Sequence, residues 1–509
     1  MKKCLKRFTS LVLVLGLLSP VVAYAREGDC GYEGGISSGD IVGKTKYEYQ
    51  EVSFLSGEPV VFKGDLTLTK SLKSDMVVST YKYSLKNLDR AATLTRTIAL
   101  STKLVKKDNG QTVEETSVSG TPSESIKVGN TTYTLKNYNF TRSNLVDAKP
   151  AVNYLAGNFQ GKKTYQVGTT ATGGTVTVSA TGNFYGFDQY WGTSQVQTIN
   201  YIIESEQKVG NEVERWGGTA SINLSSTITK QIRYVENEPE SISFDGGYVQ
   251  TQYNESILEY TSRLPEMDSK GKATDNLVTK MGSLKLESFP NQLRLPVANL
   301  NHLRGHWAEN DIKVMYGLEV FKGGEASFNP EQYMTRGEFA AAIVQAAREV
   351  PPDPALASKT TTSRTSSTKK QAQTSSFNDV STESIYYNQI ENAFKRGLLN
   401  GKGDGNFGKD ELLTFSEAIA VFIRAAGLEN LAPGDGAVTT FKDNDSIPDY
   451  ARKAVYVAEK IGMVTGDDRG YLKPNEKLTK GRAAALLNRF VTYMRDGIKR
   501  DYKQHIVNY

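Results

Sequence analysis

Thr335-Arg336-Gly337-Glu338, Thr414-Phe415-Ser416-Glu417 and Thr479-Lys480-Gly481-Arg482 are three versions of one tetrapeptide, and the residues around them keep register. Seven positions before each threonine stands an apolar residue, Phe328, Phe407 or Leu472, followed two places later by Pro330, Lys409 or Pro474. Further upstream one spacing recurs as Ile312/Met315/Val320/Gly323, Ile390/Ala393/Leu398/Gly401 and Val455/Ala458/Met463/Gly466. Trp307 and Tyr450 lie five places before the first of these in units one and three; unit two has Ile385 there, with Tyr386 and Tyr387 beside it. Self-similarity of this kind marks a repeated supersecondary unit. Each unit is expected to be a helix, a glycine-containing loop with a short extended piece, and a second helix opened by the threonine.

Outward from the repeats, the composition changes. Pro351 to Ser376 is dominated by Ser, Thr, Lys and Pro and is too poor in apolar residues to build a core, so 351–376 reads as a flexible insertion between units one and two. Upstream of about residue 290 the helical period gives way to period-two alternation rich in Thr, Ser, Tyr and Val. From Ala220 to Tyr234 one parity carries Ile222, Leu224, Ile228, Ile232 and Tyr234, and the other carries Ser221, Asn223, Ser225, Thr227 and Thr229. Such alternation predicts antiparallel strands with one buried and one solvated face. No helical pattern of 10–15 residues separates the strands, which disfavours a parallel α/β sheet. The expected fold class is multidomain: an antiparallel β-rich N-terminal region, then an all-α pseudo-threefold repeat bundle. Its segments are 26–295 (one or two β domains), 298–350, 377–432 and 441–497 for the repeats, with Pro290 and Pro296 marking the boundary.

Charge and chain start narrow the setting. The 509 residues carry 61 Lys+Arg against 56 Asp+Glu, but Lys2, Lys3, Lys6 and Arg7 precede an apolar run from Leu11 to Leu18 and the small-x-small pattern Ala23-Tyr24-Ala25. Residues 1–25 therefore read as a secretory signal peptide. Without its four cations, 57 basic groups face 56 acidic ones, a balance that argues against a polybasic nucleic-acid binder. No later stretch approaches the ~20 apolar residues of a transmembrane helix, so the mature chain is expected to have no transmembrane segment. Cys30 is the one cysteine after residue 25, which excludes an internal disulfide there, and His302, His306 and His505 are the only histidines. No cofactor and no metal are expected. The acidic loops Asp443-Asn444-Asp445 and Asp467-Asp468 fail the EF-hand pattern, because Ile447 and Pro448 occupy places that need a ligand and spacers.

The repeats resemble the S-layer homology (SLH) domain family. The first unit offers His306-Trp307-Ala308, Phe328-Asn329-Pro330 and Thr335-Arg336-Gly337-Glu338; the second, Phe377-Asn378-Asp379-Val380, Gly405-Asn406-Phe407 and Thr414-Phe415-Ser416-Glu417. The third offers Phe441-Lys442-Asp443, Gly470-Tyr471-Leu472-Lys473-Pro474 and Thr479-Lys480-Gly481-Arg482. The resemblance covers roughly the last two-fifths of the chain. It implies a cell-surface protein, of the kind found in Gram-positive bacteria, held non-covalently by an anionic, pyruvylated secondary cell-wall polysaccharide in the grooves of a three-repeat bundle. The departures are in unit one, with Asn301-His302-Leu303 in place of the aromatic-Asp entry, in unit two, without the basic residue, and in unit three, without the capping glutamate.

The expected polysaccharide-binding residues are Trp307, Thr335, Arg336, Glu338, Tyr450, Thr479, Lys480 and Arg482. For Thr335 with Glu338, and Thr414 with Glu417, helix capping is the favoured reading over ligand contact, since the spacing fits a capping box. Arg336 is not needed for capping. It projects from a helix start, where backbone N–H groups and the macrodipole already favour an anion, and its guanidinium can grip a pyruvyl carboxylate bidentately; a plain solvated charge is the competing reading. Lys480 and Arg482 are the equivalents in unit three. Trp307 and Tyr450 could stack on sugar rings, but packing into the core is favoured, and His306 is expected to order its loop. One good groove is expected near Arg336, a second near Lys480 and a degenerate one near Phe415.

The β-rich region is expected to serve structure, in the manner of a surface layer, or interaction; self-association in a surface layer is the further partner class left open. The alternative is an anchored carbohydrate-active hydrolase with its active site in residues 26–295. It would need two carboxylates ~5–10 Å apart, for which Asp188, Glu204, Glu206, Glu212 and Glu214 are candidates, with Tyr190, Trp191 and Trp216 as sugar platforms. No G-x-S-x-G, H-E-x-x-H or phosphate loop occurs there, and the expectation is a non-enzyme. Phe184 to Trp191, the most aromatic stretch, reads as a strand end plus core loop or as a contact surface.

Overall fold

The computed structural model describes residues 34–37, 46–169, 173–209, 212–236, 246–268, 272–350, 374–434 and 436–507. The expected signal peptide, Cys30 and most of the Ser/Thr/Lys/Pro-rich insertion lie outside these described residues.

Among the described residues fourteen strands make one sheet. They are β1 (Ile36–Ser37), β2 (Lys46–Ser53), β3 (Val60–Lys73), β4 (Met76–Asn87), β5 (Ala92–Lys106), β6 (Thr112–Val128) and β7 (Thr131–Lys149). Then follow β8 (Val152–Val167), β9 (Thr175–Gln189), β10 (Gly192–Val209), β11 (Glu212–Val235), β12 (Gly247–Met267), β13 (Ala273–Glu287) and β14 (Asn291–Arg294). Each pairs antiparallel with the next from β1 to β13, and β14 lies beside β12. Consecutive antiparallel strands need only short turns. β1 lies back against β12 and β13, so the meander curls on itself like a barrel and its inward side chains, from every strand between β1 and β13, form one core. The one-or-two-domain expectation thus resolves to a single sheet. The stretch expected as boundary holds β14 between Pro290 and Pro296, and so still belongs to that sheet.

The alternation works as expected. In β11, Ala220, Ile222, Leu224, Ser226 and Ile228 are buried, and only Tyr234, at the strand end, leaves the row, 56% exposed. In β5 the inward row is Ala92, Leu94, Arg96, Ile98, Leu100 and Thr102. Arg96 is therefore a guanidinium inside a hydrophobic core. It is tolerated because Glu51 takes two of its N–H groups at 2.7 and 2.8 Å and Glu124 takes another at 2.7 Å, while Lys163 reaches the second oxygen of Glu124 at 2.8 Å. Two carboxylates and two cations from β2, β5, β6 and β8 neutralise one another beside a cavity of about 80 Å³.

The helical region contains α1 (Glu309–Gly317) and α2 (Arg336–Ala346), α3 (Tyr387–Lys395) and α4 (Phe415–Ala426), and α5 (Asp449–Lys460) and α6 (Lys480–Thr492). A π-turn, Tyr493–Gly497, leads into α7 (Ile498–Val507). The second helix of each unit meets the others in the core, where the fully buried Phe422 packs against Phe339 (ring centroids 5.7 Å) and Phe490 (5.0 Å). The all-α expectation is corrected: isolated β-bridges Tyr333–Thr479, Thr335–Leu412 and Thr414–Lys477 link the loops ahead of the second helices. The short extended piece expected in each unit contributes two residues to these bridges. The core of the helical region also takes in Val152, Tyr154, Phe187 and Trp191 of the sheet.

Burial by itself would push the Glu124 carboxyl upward, but Arg96 and Lys163 outweigh it and hold it down at about 2. A depressed carboxyl stabilises above its unfolded-state value and loses that contribution as pH falls through its folded one. Stability from Glu124 is thus expected to fade between about pH 4.5 and 2. Glu124→Gln, which leaves Arg96 and Lys163 under-compensated, should lower stability at pH 7 by about 3 kcal/mol. It should also flatten the fall in stability between pH 5 and 3, as read by urea unfolding at each pH.

Candidate functional site

The first N–H groups of a helix have no partner within it, and the three second helices resolve this in a cycle. Arg336 and Gly337 of α2 donate to the carbonyls of Glu411 and Lys409 in unit two; Phe415 and Ser416 of α4 donate to Glu476 and Pro474 in unit three; Lys480 and Gly481 of α6 donate to Gln332 and Pro330 in unit one. Nearer the centre, Met334 donates to Leu478, Leu478 to Leu413 and Leu413 to Met334, at 2.8, 2.8 and 3.2 Å. Each helix start is therefore seated in the loop of the next unit.

The threonines do what their spacing implies. Thr335 and Thr414 accept from the backbone of Glu338 and Glu417, whose carboxylates reach back to the threonine N–H at 2.9 and 2.7 Å. Thr479 accepts from Arg482 N–H without the reciprocal arm. The aromatic-Asp entries are also accounted for: Asp379 accepts from Phe407, Gly408 and Lys409, and Asp443 accepts from Leu472 and Lys473. In unit one His302 makes the equivalent tie, its Nε2 3.0 Å from the carbonyl of Phe328. His306 orders its loop, its Nδ1 accepting from Ala308 N–H at 3.1 Å.

Two expectations fail on burial. Trp307 and Tyr450, expected in the core, are 62% and 61% exposed, and Ile385 at the same position is 80% exposed. They stand outside because the helix start they abut is already closed by backbone hydrogen bonds. Its second residue is small in all three units: Gly337 faces Tyr386, Gly481 faces Trp307, and the Ser416 hydroxyl lies 3.3 Å from that of Tyr450. A Cβ on Gly337 would come within 3.0 Å of the Lys409 carbonyl oxygen and 3.1 Å of the Tyr386 ring. Arg336, expected to present its guanidinium to a ligand, is instead buried. Its Nε and Nη2 donate to the carbonyls of Phe407 and Asn400 at 3.1 Å, and Nη1 lies 3.5 Å from Glu417.

That last contact belongs to a pattern absent from the sequence reading. The first residue of each second helix meets the third residue of the next one: Arg336 meets Glu417, Lys480 meets Glu338 at 2.8 Å, and Phe415 meets Arg482, whose guanidinium lies over the phenyl ring at 4.3 Å. Two of the three pairs are closed ion pairs. In the third both partners are exchanged, and a cation faces an aromatic ring. The signal was present as matched signs at the first and third helical positions, read around the cycle.

Two of the inter-unit grooves are lined by these residues. One, of about 300 Å³ between units one and two, is lined by Phe321, Phe328, Ile385, Tyr386, Glu338 and Lys480 among others, and its two lysines face two glutamates. The other, of about 460 Å³ between units three and one, has Trp307, Phe415 and Tyr471 as aromatic walls and three cations, Lys473, Arg482 and Arg489, against Asp467 and Glu476. The groove expected to be degenerate, at Phe415, is thus the larger and the more cationic.

The hydrolase candidates make no buried carboxylate pair: Glu204 and Glu206, alternate residues of β10 and so roughly 7 Å apart, are both exposed. Glu204 and Glu206 lie on the outer face of β10, Glu206 paired with Arg215 at 3.0 Å, and Glu214 pairs with Lys272. Asp188 is buried opposite Thr193, at the other end of the strand pair from Glu206 opposite Thr175, roughly 40 Å away. The side chain of Glu212 lies outside the described residues. Trp191 is buried and no sugar platform, which favours the core-loop reading of Phe184 to Trp191. Among the described residues no cluster of His, Cys, Asp and Glu could hold a metal ion.

Comparison with known proteins agrees with the three-unit geometry. The pattern of the S-layer homology domain matches residues 300–340, 376–419 and 440–484. The C-terminal region carries three SLH repeats. The chain is 25% identical over 252 residues to "Exoglucanase XynX" of Acetivibrio thermocellus, covering 47% of this chain and 21% of that protein. It is 29% identical over 189 residues to an amylopullulanase of Thermoanaerobacterium thermosulfurigenes (37% and 9%), and 29% identical over 112 residues to S-layer protein EA1 of Bacillus anthracis (22% and 12%). The chain thus spans about a fifth or less of the length of these relatives. The SLH match and the surface-layer relatives indicate a secreted protein held at the cell wall.

Because Arg336 is a clasp between repeats one and two, Arg336→Ala should lower the stability of the chain by about 2–3 kcal/mol, through lost charge-assisted hydrogen bonds and orphaned carbonyls. Thr335→Ala, losing one cap, should cost about 1 kcal/mol. Denaturant unfolding followed by tryptophan fluorescence reads both.

Proposed function

We propose that the three SLH repeats form a pseudo-threefold bundle that holds the chain non-covalently to an anionic, pyruvylated secondary cell-wall polysaccharide. The principal anion site is the groove between repeats three and one. The observation that carries this reading is the exchanged pair Phe415 and Arg482. In the other two pairs the cation at a helix start is neutralised by a glutamate of the next repeat; here Phe415 takes that place, and Arg482 pairs instead with Glu476 at 2.8 Å. A pyruvyl carboxylate can displace that exposed contact and take the guanidinium bidentately. Trp307, Phe415 and Tyr471 supply apolar faces for sugar rings. Of the expected binding residues, Trp307, Arg482 and, through helix capping alone, Thr479 belong to this groove, whereas Glu338 with Lys480 closes another.

In this reading the β region serves structure or interaction, including self-association in a surface layer. The relatives named for glycan hydrolysis share only a small part of their length with the chain, and the neighbouring candidates Glu204 and Glu206 stand on an exposed strand face, Glu206 paired with Arg215, rather than in a cleft, so nothing in the geometry favours hydrolysis. Release of reducing sugar from wall polysaccharide by the mature chain, abolished by a single carboxylate replacement, would reverse that judgement.

The test uses the mature full-length chain and isolated wall sacculi. Arg482→Ala and Trp307→Ala should each weaken co-sedimentation about tenfold while leaving the unfolding midpoint within a few degrees of wild type, and binding should weaken with added salt. Co-sedimentation that persists after chemical removal of the wall polysaccharide would refute the anchor reading.

A further inference from the structure

The far ends of the same helices carry a second arrangement. The last carbonyls of a helix lack partners within it and bear partial negative charge; burying them requires donors from elsewhere. Two turns of the sheet supply these to α2 and α4 and make a matching contact with the π-turn that follows α6. From the β9–β10 turn, Trp191 Nε1 donates to the Ala346 carbonyl at the end of α2 at 2.8 Å, and Gln189 Nε2 donates to the Met494 carbonyl beyond α6 at 2.6 Å. From the β7–β8 turn and its flank, Ala151 N–H donates to Ala425 at 2.9 Å and Tyr154 Oη donates to Ala426 at 2.7 Å, at the end of α4. Contacts also run the other way: Arg396 Nη2 donates to Pro150 at 2.8 Å and Arg348 Nη1 to Tyr190 Oη at 2.6 Å. Gly427, with φ 66°, ends α4, and its missing Cβ leaves room for the Lys149 side chain, whose Cγ would stand 2.1 Å from a Cβ there.

The chain beyond the third repeat closes the contact from the side. α7 packs against β8 and β9, with Tyr502 edge-on to Phe187 at 5.0 Å. Its His505, almost fully buried, stacks on Tyr154 with ring centroids 4.0 Å apart. The imidazole joins Asp147 of β7 through Nε2 at 3.0 Å and Asn430 of the helical region through Nδ1 at 2.9 Å. A polar side chain buried in this way is held by contacts to both regions at once.

We infer that the β region is a rigid strut, docked end-on to the carbonyl ends of α2 and α4 and to the π-turn after α6, and strapped by α7. The anchor and what it displays thus move as one body rather than as beads on a linker. The docking buries Trp191, Tyr154 and Phe187 in one core with the repeats, which a swivelling linker would not do. The grooves lie at the opposite, N-terminal ends of those helices, so the docking and the wall ligand do not compete for surface. Strands of 15 to 24 residues, from β9 to β11, carry the far turns on the order of 50 Å from the docking surface.

The test is a nick in the mature full-length protein. A protease site inserted after Val297, which is 66% exposed and lies beyond β14, allows the chain to be cut once between the sheet and the repeats after folding. The inference expects the two fragments to co-elute in size exclusion at micromolar concentration, and the uncut protein to unfold in one calorimetric transition. The nicked Trp191→Ala/His505→Ala protein should separate into two species, and the uncut double variant should show two transitions and a larger maximum dimension in small-angle scattering. Phe422→Ala is the control for mere loss of stability: it should lower the transition without dividing it. Separation of the nicked wild-type fragments would overturn the strut, as would a double variant that scatters and melts like wild type.

Discussion

Everything in the helical half follows from the need to satisfy the ends of three short helices. Helices of 11 to 13 residues leave a large share of their backbone groups without partners inside the helix, and such lengths are marginal in isolation. At the starts, the solution is reciprocal: no repeat can complete its second helix without a loop from the next, and Met334, Leu413 and Leu478 close the ring. The repeats are consequently not three domains on a string. Removing one opens the helix start of the preceding repeat and leaves the following repeat's loop without the helix it seats.

That ring also explains why charge at the helix starts behaves as a shared property. Because the first residue of each helix enters its neighbour's groove, its sign has to suit the third residue of that neighbour. Arg336 with Glu417 and Lys480 with Glu338 satisfy this as ion pairs, and Phe415 with Arg482 satisfies it with an aromatic ring. A glutamate at position 482 would find no cation opposite, and an arginine at position 415 would face another arginine. Two departures from the repeat pattern, each read singly as a loss, are one compensated exchange. Its by-product is a cation at a helix end whose ion-pair partner is the loop residue Glu476 rather than a glutamate of the neighbouring helix.

Within a unit, sequence periodicity was informative, because capping boxes and alternating strand faces join residues two to four positions apart. Thr335 with Glu338, and the row from Ala220 to Ile228, were legible for that reason. What lay between units was not: Arg336 looked solvent-facing since its partners, Phe407 and Asn400, are more than sixty residues away. Trp307 and Tyr450 looked like core residues because an aromatic residue at a helix entry usually packs inward, and only the closed helix start and its small second residue push them out. The buried Glu51, Arg96, Glu124 and Lys163 quartet was hidden by the same alternation that revealed the strands. Arg96 stands in the inward row between Leu94 and Ile98, and that placement alone signalled a partner of opposite sign across the sheet.

The two ends of the second helices are then used by different partners for the same electrostatic reason. Their N-terminal ends, with positive partial charge and nearby cations, suit an anionic ligand; their C-terminal ends, with exposed carbonyls, suit the indole, phenol and amide donors of the β turns. In the proposed arrangement a pull on the sheet reaches the wall along three second helices, α2 and α4 gripped at their carbonyl ends and α6 at the π-turn that follows it, and each held at its start by the next repeat's loop. The covalent connection between β14 and α1 would carry such a load alone only if those donors let go. Shear at the surface is then resisted first by contacts that bury Trp191 and Tyr154, and the strength of the anchor depends on the sheet as much as on the sugar-binding groove.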